Sequence, residues 1–375
     1  MRETRGVRRA SRLRAAAASL AAAALTVTLA PATSQAAPVE DRVTITSTRA
    51  GDRPGALATY LRLMSIPSSD VGYEPTEFSP PNADDDRACP PSRCRDFAVP
   101  IPRSVKVTSN KVRVILPVGY KKQTRQRYPV VYLYNGARSP YFRWSVATEL
   151  TKLTRSMKAI FVMPEGGIGD EAGMFSDWVD GSFDWETFHT DLLIDWVDRK
   201  FRTRTDARGA VGASMGSLGA LTYAARHPGL FQSVLSISGL TDTNLMTANI
   251  LPPELATSLG LSPPDLTRVW GNPVLRQDVW QAHNPVSLAP RLEGVQLLIA
   301  AGTGSPDPAQ RGTEPLHSEY TEQLMWTAHR TFLAALTAAD VPYDAWVRQG
   351  GVHNWPWFDA PLKWGLPQMV RELRS

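Results

Sequence analysis

From Val112 onward, short apolar runs alternate with amphipathic stretches, and this alternation restricts the fold more than any other feature of the chain. Val112–Leu116 and Pro129–Tyr134 are β-branched and aromatic, are separated by the polar KKQTRQR, and read as strands. Ala159–Met163 is short and wholly apolar, as suits a parallel strand covered on both faces. Between Trp185 and Phe201, the residues Trp185, Phe188, Leu192, Trp196 and Val197 share a helical face, and Asp191, Asp195 and Asp198 fall outside it. Further helices are expected at Ser145–Arg155, Gly216–Arg226, His317–Ala339 and Leu362–Leu373. Further strands are expected at Gly209–Gly212, Ser233–Ser238, Gln296–Ala301 and Tyr343–Arg348. Repeated strand–helix units give an α/β fold: a mostly parallel central sheet with helices on both faces. There is no internal repeat and no second block of composition, so residues 106–375 are expected to form one domain. A stretch at about 240–290 breaks the rhythm and reads as a lid-like insertion. Its Leu240, Leu245, Met246, Ile250, Leu251, Leu255 and Leu259 supply apolar surface that suits either a lid or simple packing.

The start of the chain has a different character. Arg2 to Arg14 is cationic, Ala15 to Ala30 is an uncharged Ala-rich run, and the small-residue site Ser34-Gln35-Ala36 follows. This order predicts a secretory signal peptide over residues 1–36. The uncharged run falls short of the roughly 20 residues that span a bilayer, so no transmembrane segment is expected once the signal is removed. Residues 37–105, rich in Pro, Ser and Asp, read as an irregular extension. The formal net charge of +5 sits in residues 1–36, where six arginines face one glutamate, and the rest of the chain balances. A nucleic-acid binder should keep a basic face on its folded domain, so that class is excluded. Cys89 and Cys94 are the only cysteines; an exported chain would close them into a small structural disulfide. No metal motif and no nucleotide-binding glycine loop occurs, and no cofactor is expected.

Gly212-Ala213-Ser214-Met215-Gly216 fits G-x-S-x-G. A serine on a tight strand-to-helix turn projects its hydroxyl clear of the backbone, and small residues two before and two after let strand and helix approach. The helix that follows aims its amides and dipole where an oxyanion would form. The pattern arises by chance in about one chain in ten of this length, but here a strand-like GAV precedes it and a helix follows. Such a serine needs a neutral imidazole, and a carboxylate to orient that imidazole. In α/β-hydrolases the histidine comes last in the chain, which selects His353. His189, His227, His283, His317 and His329 read as surface or packing residues. Position alone favours Asp307 in GTGSPD as the acid, with Glu314, Glu319 and Glu322 further on.

From Val130 to about Trp357 the chain resembles the antigen 85 mycolyltransferases and the corynomycolyltransferases, within the esterase D group of α/β-hydrolases. The resemblance rests on YLYNGAR, VMPEGG, MFSDW, DWETF, VGASMGSLGALTYAARHPGLFQSVLSISGLTD and HNW, in the same order. It implies an α/β-hydrolase fold with Ser214 as nucleophile and His353 as base. It also implies Glu322 as the acid, in place of Asp307, and oxyanion amides from Ala137 and Met215. By the same resemblance Asn135 and Arg138 would contact a sugar acceptor, and Trp355 would border its pocket. Asn135 stands where the family carries an aspartate that helps hold trehalose, and SPYFRW lacks the family's acidic residues.

The implied activity is that of a secreted or cell-envelope acyltransferase. It would take a long acyl chain from an ester donor, including cell-envelope lipid, to a sugar such as trehalose. A carboxylesterase using water, and a non-catalytic envelope or matrix-binding protein on the same fold, are the alternatives. Trp178, Trp185, Trp326, Trp355 and Trp357 are candidates for stacking on sugar rings, although each taken singly suits the core.

Overall fold

A computed structural model describes residues 23–26, 46–49, 88–137, 139–167, 172–246, 263–304 and 316–375. Two short strands, β1 (Ala23–Thr26) and β2 (Thr46–Arg49), pair antiparallel with each other. The rest of the expected signal segment and extension, up to residue 87, lies outside the described residues.

The main sheet has eight strands: β3 (Cys94–Ala98), β4 (Lys111–Ile115), β5 (Tyr128–Tyr134), β6 (Ile160–Pro164), β7 (Thr203–Ala213), β8 (Ser233–Ile237), β9 (Gln296–Gly302) and β10 (Asp344–Arg348). Their order is β10-β9-β8-β7-β5-β6-β4-β3. From β6 to β10 every neighbouring pair is parallel, and near the other edge β4 runs antiparallel to both β6 and β3. Successive residues of a strand point to opposite faces. Val130, Tyr132, Tyr134, Ala210, Val234, Leu297 and Ile299 therefore enter one core, whereas Val131, Leu133, Val211, Leu235, Leu298 and Ala300 enter the other. The helices α1 (Leu193–Lys200), α2 (Met215–Arg226), α3 (Pro263–Trp270) and α4 (Leu316–Ala338) bury residues in the first core. The last helix, α5 (Trp355–Glu372), covers the second.

Several boundaries moved for local reasons. The helix expected over Ser145–Arg155 is two short ones, Arg143–Ala147 and Leu150–Leu153. Thr148 between them is extended; its hydroxyl donates to the Trp144 carbonyl and accepts from the Leu150 amide, so the side chain supplies bonds that would otherwise continue the helix. The closing helix starts at Trp355 rather than Leu362. Asn354 caps it by accepting from the Trp357 amide, and Pro356 sits in the first turn, where a missing N–H is tolerated.

β3 lies within the stretch read as an irregular extension, so the sheet begins before residue 106. The disulfide Cys89–Cys94 ties the first residue of β3 to the turn before it, and Asp96 on β3 receives two bonds from the buried Arg113 of β4. The insertion at about 240–290 contains α3 and short helices at Gln277–Ala282 and Pro285–Leu288. Leu240 and Met246 are buried in the first core; Ile250, Leu251, Leu255 and Leu259 lie outside the described residues. Among the described residues, no helix is long and apolar enough to cross a membrane.

Candidate active site

The parallel strands end along one edge of the sheet, and the loops there assemble the site. β7 stops at Ala213, and Ser214 follows with φ 55° and ψ −122° before α2 begins at Met215. A non-glycine residue in that region carries strain, and two glycines make the turn feasible. A Cβ at Gly212 would lie 2.1 Å from the Gly216 carbonyl oxygen, and one at Gly216 would lie 2.2 Å from that of Tyr134. The Ser214 amide donates to the Ile237 carbonyl, and its own carbonyl accepts from Ser217 and Leu240. The backbone is therefore held on both sides while the hydroxyl remains at the surface of the turn.

His353 sits between β10 and α5, 10% exposed. Its Nε2 is 2.9 Å from Ser214 Oγ, and its Nδ1 is 2.8 Å from Glu322 Oε2. Glu322, on α4, has no exposed surface. Its other oxygen accepts from the Ser238 hydroxyl at 2.6 Å and from the Gly302 amide at 2.8 Å. Three side chains that are 31 and 139 residues apart along the chain thus form one hydrogen-bonded line. With Nδ1–H donated to the carboxylate, Nε2 is left to accept the serine proton. Asp307 lies outside the described residues.

The loop after β5 closes the other side. Gly136 packs on Ser214, since a Cβ there would lie 3.4 Å from the serine Cβ. Ala137 follows it, and Met215 opens α2, where an N–H has no acceptor within the helix. Asn135 is fully buried; its side-chain nitrogen donates to the carbonyls of Gly136 and Ser139, and its Oδ1 has no partner. Trp355 is only 9% exposed, and its indole N–H donates to Ser139 Oγ at 3.2 Å. Both residues thus hold the loop from within. Arg138 lies outside the described residues.

Among the other tryptophans considered for sugar stacking, Trp178, Trp185 and Trp357 are buried, and only Trp326 is half-exposed. Of the histidines read as surface or packing residues, His189 and His329 are fully buried, and burial lowers the pKa of each to about 4. Ser238, Gly302 and Ser139 belong to the site without having been singled out in the sequence. Ser238 has φ 43°, and the only sequence signal for it was its place at the end of an apolar run. Among the described residues there is no cluster of three or more side chains fit to hold a metal.

Comparison with known proteins places the chain among esterases and acyltransferases. The chain is 34% identical over 252 residues to esterase Rv1288 of Mycobacterium tuberculosis, covering 64% of this chain and 52% of that protein, so it spans about half of that relative's length. It is 26% identical over 261 residues to the diacylglycerol acyltransferase/mycolyltransferase Ag85B of Mycobacterium leprae, covering 66% of this chain and 77% of that one. Among solved structures, MPT51 of Mycobacterium tuberculosis superposes with a TM-score of 0.61 at 21% identity, over 75% of this chain and 99% of that one. An S-formylglutathione hydrolase of Agrobacterium tumefaciens superposes at 0.58 and 16%, over 75% and 95%. These neighbours share the α/β-hydrolase fold. The Esterase family model, described as "Putative esterase", matches residues 107–369, and the chain belongs to that family.

Proposed function

We propose that this protein is a serine esterase that cleaves acyl esters through a Ser214 acyl-enzyme. The single observation that carries the reading is the continuous line from Ser214 Oγ through the His353 ring to Glu322. In this mechanism Ser214 attacks the ester carbonyl as His353 Nε2 takes its proton. Glu322 keeps the imidazole in the tautomer that leaves Nε2 free, and stabilises the imidazolium that forms. The amides of Ala137 and Met215 face the developing oxyanion. The imidazolium returns its proton to the departing alcohol, and the acyl group then passes to an acceptor.

Water is the acceptor this site supports best. Asn135 and Trp355, the residues that the resemblance assigns to a sugar, are buried and already bonded to the loop. The similarity to an esterase, at 34%, also exceeds that to the mycolyltransferases. A second reading, transfer of a long acyl chain to a sugar such as trehalose, is favoured by the several mycolyltransferases at 25–27% identity. The cationic and Ala-rich start of the chain supports export, with action on ester lipids at the cell envelope or outside it.

Hydrolysis of a short p-nitrophenyl ester, with and without trehalose, tests the choice of acceptor. Fast hydrolysis with no acylated trehalose is the expected outcome, and acylated trehalose as the main product would overturn it. Ser214→Ala should abolish labelling by a fluorophosphonate probe, and Glu322→Gln should lower kcat about 10³-fold or more. Labelling that persists in Ser214→Ala would contradict the assignment of the nucleophile.

A further inference from the structure

Glu165 follows β6 in the stretch VMPEGG and takes no part in the line of Ser214, His353 and Glu322. It is 4% exposed, and among the described residues no cation forms an ion pair with it. A carboxyl group with so little access to water needs a reason to be where it is. Its contacts supply one. Oε1 accepts from the Gly166 amide at 3.1 Å, and Oε2 accepts from the Tyr141 amide at 3.4 Å. Tyr141 closes the loop that begins at Asn135 and carries Ala137. The same loop is tied at its other points by Asn135, whose amide donates to Gly136 and Ser139, and by Trp355, whose indole donates to Ser139 Oγ. Gly166 also packs on Asn135, because a Cβ there would lie 3.0 Å from Asn135 Oδ1. Glu165 is thus the charged member of a set of braces around one loop.

On the reading of Ser214 as nucleophile, we infer that Glu165 is a positioning residue that sets the oxyanion loop by accepting its Tyr141 amide. The carboxylate form can accept from both neighbouring amides at once. Protonation removes the charge that strengthens both bonds and leaves the hydroxyl oxygen a poorer acceptor. The groups around it do not compensate. Lys111 of β4 contributes its carbonyl to the Glu165 amide and a distant positive charge. His189 donates Nε2–H to the Glu165 carbonyl, accepts at Nδ1 from Tyr223, and is kept neutral by burial. The Tyr141 hydroxyl is engaged with Asp96, which is itself paired with Arg113. Burial, against the pull of the Tyr141, Gly166 and Gly167 amides, raises the Glu165 carboxyl to about 7, so its charge changes within the working range of an esterase.

The test compares wild type, Glu165→Gln and Glu165→Asp on a p-nitrophenyl ester from pH 5 to 9, with fluorophosphonate labelling rates and thermal melts. Glu165→Gln is expected to lower kcat about tenfold with KM within twofold, and to slow labelling by a similar factor. The acid limb of log kcat/KM is expected to be steeper in wild type than in Glu165→Gln, because the variant lacks the Glu165 ionisation. Unchanged kcat, a rise in KM alone, or a lower kcat with the wild-type slope would overturn the inference. Should Glu165→Gln fail to fold, Glu165→Asp carries the test. It keeps the ionising group but shortens its reach, so it should keep the steep limb with a lower kcat, and wild-type kcat would refute the brace. A wild-type protein that neither labels nor hydrolyses overturns the reading of the site and the brace together. A wild type that labels, beside unaffected Glu165 variants, overturns the brace alone.

Discussion

Glu322 reaches His353 from a helix, and a helical side chain with several rotatable bonds needs to be fixed before it can fix anything else. Ser238 and the Gly302 amide do this, by holding Oε1 so that Oε2 faces the imidazole. A hydrogen bond to a charged, buried group contributes about 1.5–3 kcal/mol. Ser238→Ala should therefore lower kcat roughly 10–100-fold, with KM little changed, because the lost bond orients the acid and does not touch substrate. Steady-state kinetics on a p-nitrophenyl ester checks this; a loss confined to KM would assign Ser238 to substrate binding instead. At this scale the sequence was partly legible. Ser214 stood out because a short motif marks it, and His353 because it is the last histidine of the chain. Asp307 and Glu322 were separated only by a resemblance, since which carboxylate meets the imidazole depends on how α4 lies over β9.

At the level of elements, the decisive contact is that of β7 and α2 with the end of β5. Both glycines of the turn are needed because backbone meets backbone there, and no side-chain rotation can relieve the overlap. Gly216→Ala should push α2 away from Tyr134, at a cost of about 3 kcal/mol or more. It should also lower kcat by moving Ser214 relative to Ala137. Urea denaturation and ester hydrolysis measure the two effects, and a fully stable, fully active variant would refute the packing argument. The most distinctive motifs, MFSDW and DWETF, proved to bind each other. Asp177 accepts from the Thr187 amide and hydroxyl and pairs with Asp184 across an isolated bridge. Phe175 packs on Gly219 of α2. These residues hold the first core together rather than touching the line of Ser214, His353 and Glu322.

Across the whole molecule, two buried carboxylates make stability depend on pH with opposite signs. Glu186 joins the segment before α1 to Arg226 and His227 at the end of α2, and Arg226 also donates to Ala282 in the insertion. Burial works to raise its pKa, but bonds from His227, His283 and Arg226 outweigh burial and hold it well below the usual carboxylate range. Its contribution is therefore present above the unfolded pKa of about 4.5 and is lost as pH falls below that value. Glu165, raised to about 7, behaves the other way. Its contribution is complete below about 4.5 and is lost as pH rises to about 7, a change of about 3 kcal/mol. Melting temperatures across pH 3 to 9 should show Glu186→Gln removing part of the acid-side fall. Glu165→Gln should remove part of the decline between about pH 4.5 and 7. Profiles parallel to wild type in both variants would contradict these assignments.

The sequence by itself determined the α/β alternation, the parallel character of the strands, the strand-to-helix turn at Ser214 and the chain order that singles out His353. Each of these is written in neighbouring residues, as a period of two or 3.6 or as a short motif, so a local reading reaches it. The edge strand β3, hidden in a Pro- and Asp-rich stretch, became visible only through its pairing with β4. Only the tertiary structure shows how Glu322 reaches His353 Nδ1, and that Asn135 and Trp355 turn inward to hold a loop. Only it revealed the carboxyl of Glu165 beneath that loop. Those facts depend on distances between segments far apart along the chain, which packing sets and the order of residues does not spell out.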